Sequence, residues 1–139
     1  MNDSIIEMLQ NTPLWSGLTK QDLGLVARSS EERNFESGQT IVRKGEPGGG
    51  FYLILDGAVE VRSNGKTLSK LGPGQFFGEM SILNNESRSA DVVTAEPSKI
   101  LFLSALSFKT LLFANPKIAL TMLQEFGRRL RNTDESLSD

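Results

Sequence analysis

The chain has 139 residues, 38% hydrophobic and 23% charged, with 17 acidic against 15 basic residues and a net charge of −2. This is the composition of one globular domain, since single cores most often form at roughly 100–150 residues. It contains no cysteine and no histidine, which excludes disulfides, thiolate nucleophiles, imidazole bases and imidazole metal ligands.

The charge balance gives no global positive field to attract nucleic acid, so any anion site must be built locally. No apolar run approaches the roughly 20 residues that cross a bilayer, so no membrane partner is expected. The N-terminus lacks the basic-then-apolar order of a secretory signal. A cytoplasmic protein is expected.

In chain order, Ser4-Ile5-Ile6-Glu7 has the spacing of a capping box and predicts a short helix from Ser4 to about Gln10. Thr19 followed three residues later by Asp22 predicts a second, with Leu23, Val26 and Ala27 at helical spacing, to about Ser29. From Phe35 the period shortens, and strands are predicted over 40–42, 51–55, 58–62 and 66–71. Asp56-Gly57 and Asn64-Gly65 are dipeptides favoured in tight hairpins, whose two central residues need positive φ. Glycines at 45, 48–50, 72 and 74 punctuate the same region. Two more strands follow over 91–95 and 99–103, and this cadence of short strands predicts a small sandwich, roll or barrel.

Helices then return. Leu106, Leu111, Leu112 and Phe113 fit a helix ending near Asn115, which can cap the next helix with Pro116 in its first turn. That last helix should reach at least Arg131, with Ile118, Met122, Phe126 and Leu130 at four-residue intervals. The stripe either covers the roll or, in its C-terminal half, forms part of a dimer seam. Arg128, Arg129 and Arg131 read as a solvated, dipole-complementing helix end.

The segment with the most chemistry is "FGEMSILNNESRSA", 77–90. Gly78 permits close backbone approach, and the residues after it can start a helical turn with free N–H groups. Nine residues after Glu79 comes Arg88, whose fork can give two parallel hydrogen bonds to a phosphate. Ser89 and Ala90 are small enough to let backbone N–H groups approach the same oxygens. A carboxylate beside a phosphate is repulsive unless it accepts from hydroxyls of the same ligand, so a phosphate attached to a sugar accounts for both charges. The plainer reading pairs Arg88 with Glu79 or Glu86 in a structural loop. Phe76 and Phe77 read as core rather than as ligand-stacking groups.

"IVRKGEPGGGFYLILDGAVEV" followed by "LGPGQFFGEMSILNNESRSADVV" resembles the cyclic nucleotide-binding domain with its phosphate-binding cassette. The resemblance implies a mainly β fold with flanking helices, a double-stranded β-helix or jelly-roll-like β-roll. Residues 1–34 would be an N-terminal helical part, 35–104 the roll with its cassette at 77–90, and 105–139 the C-terminal helices. It further implies that the Gly78 N–H and the Glu79 carboxylate hold a ribose 2′-hydroxyl. Arg88, with the backbone at Ser89 and Ala90, would hold the cyclic phosphate of cAMP or cGMP, and Val61, Leu71 and Met80 would pack around ribose and base.

The last helix resembles the long dimer helix of the catabolite activator and Fnr type of regulator, in which a threonine at the position of Thr133 reaches the adenine. Those regulators continue into a DNA-binding domain and this sequence ends at Asp139. The expected output is therefore an effector protein or a homodimer through the C-terminal helix, without direct DNA binding, enzymatic activity or a cofactor. Two rivals are a β-roll that has lost its ligand and binds protein, and an enzyme on a cupin-like roll. The second usually needs histidine-bound metal.

Overall fold

The computed structural model describes residues 2–12, 15, 18–47, 49–79, 82, 87–124 and 127–128. In chain order the elements are α1 (Asn2–Gln10), α2 (Lys20–Ser29), β1 (Glu31–Phe35), β2 (Thr40–Val42), β3 (Gly50–Asp56), β4 (Val59–Ser63), β5 (Lys66–Leu71), β6 (Phe76–Phe77), β7 (Asp91–Thr94), β8 (Ser98–Ser104) and α3 (Ala105–Ala114). Residues 116–124 are also helical. The strands pair antiparallel in two four-stranded sheets, ordered β1-β8-β3-β6 and β2-β7-β4-β5. This is the expected β-roll with flanking helices.

Strand β3 shows why the roll needs those helices. Successive side chains of a strand point to opposite faces. Phe51 and Leu53 enter a core shared with Leu9, Val26, Phe108 and Ile118 from the helices. Tyr52 and Ile54 enter a second core drawn from both sheets, with Val42, Val59, Leu71 and Val92. A strand buried on both faces reads as a continuous apolar run, as "FYLIL" does. Phe76 and Phe77 divide in the same way between the two cores, and both are buried, as expected of core residues. Ile118 and Met122 are buried in the helix-side core, so the N-terminal half of that stripe covers the roll; Phe126 and Leu130 lie outside the described residues.

Several local expectations hold. Thr19 caps α2, its Oγ1 accepting from the Asp22 N–H at 3.1 Å. Asn64-Gly65 turns the β4–β5 hairpin with φ of 54° and 79°, joining the paired residues Ser63 and Lys66. Pro116 opens the final helical run.

Others are corrected. Helix α1 begins at Asn2, two residues before Ser4. The β region begins at Glu31 rather than Phe35: the charged stretch Glu-Glu-Arg-Asn-Phe pairs with β8, a Lys99–Glu32 ion pair of 3.2 Å and the Arg33 guanidinium 3.8 Å above the Phe102 ring tying the two strands together. Asp56-Gly57 closes no hairpin, because β3 and β4 belong to different sheets. The positive φ of Gly57, 95°, instead passes the chain from one sheet to the other. Asn115 closes α3: its backbone N–H donates to the Leu111 carbonyl at 2.9 Å and its Nδ2 to the same oxygen at 3.4 Å. The side chain turns back onto the preceding helix instead of forward.

Candidate ligand-binding site

Segment 87–91 is fixed by the turn between β2 and β3. The Arg88 N–H donates to the Glu46 carbonyl and the Gly45 N–H to the Arg88 carbonyl, each at 2.8 Å. The Lys44 N–H donates to Asp91 Oδ1 at 2.7 Å, and the Arg43 N–H to Glu46 Oε1 at 2.8 Å. Gly45 provides the positive φ, 89°, that this tight turn requires. The arginine is thus presented by a scaffold more than forty residues away in sequence.

Arg88 is only 6% exposed and Glu79 only 5%, an uncommon condition for charged side chains unless they are held by partners or serve a ligand. The Arg88 guanidinium turns inward, Nη2 donating to the Gly50 carbonyl at 2.8 Å. Burial pushes its pKa down, while Tyr52, Glu79 and Glu46 pull it up. An arginine remains charged at neutral pH under either influence, so the cavity wall carries a fixed, partly desolvated cation.

The two charged groups line one cavity of about 230 Å³. Gly78, Ser89, Ala90, Val61 and Leu71 line it as well, so the fold brings together seven of the nine residues singled out from sequence. The other two, Met80 and Thr133, lie outside the described residues. Glu79 and Ile82 are helical, in keeping with a helical turn after Gly78.

Five lining residues were not singled out as ligand positions: Val42, Ser69, Phe76, Phe77 and Val92. Three of them complete a rung across four strands, because Val42 pairs with Val92, Val92 with Val61 and Val61 with Ser69. The rung makes an apolar floor ending in one hydroxyl. A signal for Ser69 was present, since it lies two residues before Leu71 and therefore on the same face of β5.

Gly78 stands at the closest approach. Its φ is 97°, and a Cβ there would lie 2.5 Å from the Gly50 carbonyl oxygen and 2.8 Å from Arg88 Nη1. Gly78→Ala should therefore strain the backbone and displace the guanidinium together. The expected result is at least tenfold weaker ligand binding, about 1.4 kcal/mol, in a protein that still folds. Unchanged affinity by titration would remove Gly78 from the site.

Fold and cavity together define a small-ligand-binding β-roll domain. The chain belongs to the cyclic nucleotide-binding domain family, whose model matches residues 32–115. It is 34% identical over 113 residues to a cyclic nucleotide-gated potassium channel of Mesorhizobium japonicum, covering 81% of this chain and 31% of the channel. It is similar to the crystal structure of the catabolite activator protein of Thermus thermophilus, with 32% identity, a TM-score of 0.79, and 91% of this chain and 62% of that one covered. It is also similar to the regulatory subunit of a cAMP-independent protein kinase A from Trypanosoma brucei, a triple mutant bound to cAMP in the A site, with 28% identity, a TM-score of 0.83, and 99% and 52% covered. The chain spans less than two thirds of the length of each of these relatives. Among the described residues, no helix is long and apolar enough to cross a membrane.

Proposed function

We propose that this domain binds a cyclic nucleotide, cAMP in preference to cGMP, and passes its occupancy through the C-terminal helices to a partner protein or a second copy. The observation that carries the reading is the burial of one cation, Arg88, and one carboxylate, Glu79, on the wall of a single cavity beside Gly78. The guanidinium and the backbone at Ser89 and Ala90 take the cyclic phosphate. Glu79 and the Gly78 N–H take the ribose 2′-hydroxyl, and ribose and base lie on the rung that includes Val61 and on Leu71. The cAMP-bound trypanosome relative supports the choice of ligand. The domain acts by binding, without chemistry and without a cofactor.

Isothermal titration of the purified protein with cAMP and cGMP, using adenosine and guanosine as phosphate-free controls, tests this. Binding of cAMP tighter than of cGMP and far tighter than of either nucleoside is expected. A folded sample giving no heat with either cyclic nucleotide at millimolar concentration would refute it and favour a protein-interaction role for the same roll. Glu79→Gln should weaken cAMP binding by about tenfold, less than loss of Arg88, because an amide still accepts one hydrogen bond without the charge. Titration showing a larger loss than for Arg88 would reverse their ranking.

Signalling needs two arrangements that the ligand binds unequally. Leu120 and Leu123, 56% and 64% exposed one turn apart, and Phe113, 86% exposed, supply an apolar surface on the C-terminal helices to which such a change can be relayed. Deuterium exchange with and without cAMP should show altered protection over 105–124. Identical protection there would sink the relay.

A further inference from the structure

Arg88 lies between two cavities. In front is the site described above. Behind it, a cavity of about 300 Å³ opens among β2, β3 and β8, lined by Val42, Glu46, Tyr52, Phe102 and the same Arg88. A long, flexible side chain with space on two sides has many rotamers available, and ordering it opposes side-chain entropy. Among the described residues, the Gly50 carbonyl takes its hydrogen bond, the face of Tyr52 lies with its ring centroid 5.9 Å from the Arg88 Cζ, and Glu79 and Glu46 attract its charge.

The Tyr52 ring is itself clamped. It stacks on Phe77 with centroids 4.8 Å apart and planes 7° from parallel, and it meets Phe102 at 5.1 Å. On Phe102 rests the Arg33 guanidinium, 3.8 Å from the centroid. A column of three rings therefore runs from the front cavity, where Phe77 forms part of the wall, to the cavity behind. Tyr52 does not line the front cavity, so any effect it has on a ligand there must pass through a neighbour.

We propose that Tyr52 is a positioning residue: its clamped ring holds the Arg88 guanidinium between the two cavities, aimed at the place of the ligand's phosphate. The inference rests on the reading of Arg88 as the phosphate ligand. The ring face does the work, through its attraction for a cation, and the hydroxyl is dispensable. Removal of the ring opens the rear space to Arg88, which then retreats from the front cavity and must be drawn back whenever a phosphate binds.

The test compares wild type, Tyr52→Phe and Tyr52→Leu, each checked for folding by thermal melt, with Tyr52→Met in place of the leucine variant should that one not fold. Tyr52→Leu should weaken cAMP binding about 3- to 30-fold, leave adenosine binding within about twofold, and be rescued by Tyr52→Phe. Equal losses for cAMP and adenosine, or none for cAMP, overturn the inference. A second measurement needs no ligand. The Arg88 Nε–Hε resonance should be single and slow to exchange in wild type and Tyr52→Phe, and broadened or lost in Tyr52→Leu; the same signal in all three overturns the inference. A wild type that binds no cyclic nucleotide defeats the proposed function, and the resonance still decides the role of Tyr52.

Discussion

Arg88→Leu is expected to weaken cAMP binding at least a hundredfold while leaving the melting temperature nearly unchanged. The loss follows from hydrogen bonds to a charged phosphate, worth about 1.5–3 kcal/mol each. Two are at stake, and each 1.4 kcal/mol is a factor of ten. The stability result follows from the arginine's surroundings. In the absence of ligand Arg88 is 6% exposed as a residue and its guanidinium donates to a neutral carbonyl, that of Gly50, with Glu79 and Glu46 adding electrostatic attraction, so folding bears its desolvation against a partial return. A leucine removes that penalty, but it is shorter, leaves the Gly50 carbonyl oxygen to recover a partner and takes a cation away from the buried Glu79 carboxylate, effects that oppose each other. Arg88→Lys should recover little affinity, since an ammonium keeps the charge and loses the planar fork. Titration and melting on the same samples separate the effects. A binding loss under threefold would remove Arg88 from the site, and a collapse in stability would make it a structural arginine.

Phe51→Ala should give the largest loss of stability, about 3–5 kcal/mol, which is comparable to the whole stability of a weak domain. Phe51 is fully buried as the second residue of β3. Its ring stacks on Phe108 at 4.5 Å, lies 5.5 Å from Phe76, and meets Trp15 edge-on at 6.3 Å. It therefore joins the roll to segments from both ends of the chain, and these neighbours cannot all collapse into the space it leaves. Calorimetry should show a melting point lower by roughly 6–20 °C. Phe113→Ala, at an 86% exposed position, should move it by no more than a degree or two. Similar shifts for the two variants would mean that the helix-side core does not carry the fold.

How far the sequence could be read depended on the range of each interaction. Asn64-Gly65 was legible because a two-residue turn is set by the φ preferences of the residues in it. Asp56-Gly57 has the same local chemistry and was misread, since pairing of β3 with β8 and β6, rather than with β4, is decided elsewhere. Strand β1 gave no apolar alternation; its ion pair and its cation on Phe102 involve residues some seventy positions away. In the site, Gly78, Glu79, Arg88, Ser89 and Ala90 were legible as a spacing within one loop. The rung from Val42 through Val92 and Val61 to Ser69 was not, because strand register is fixed by tertiary packing.

By itself, then, the sequence determined the residue types and local spacing of the proposed sugar-phosphate clamp, the order of most of the short strands and helices, and the exclusion of imidazole and thiol chemistry. Each depends on composition or on neighbours a few residues apart. The tertiary structure decided that the clamp is buried, that Arg88 rests on Gly50 and Tyr52 between two cavities, and that an apolar rung faces it. These follow from packing between segments up to about fifty residues apart, where burial of both faces of β3 selects one arrangement of the sheets.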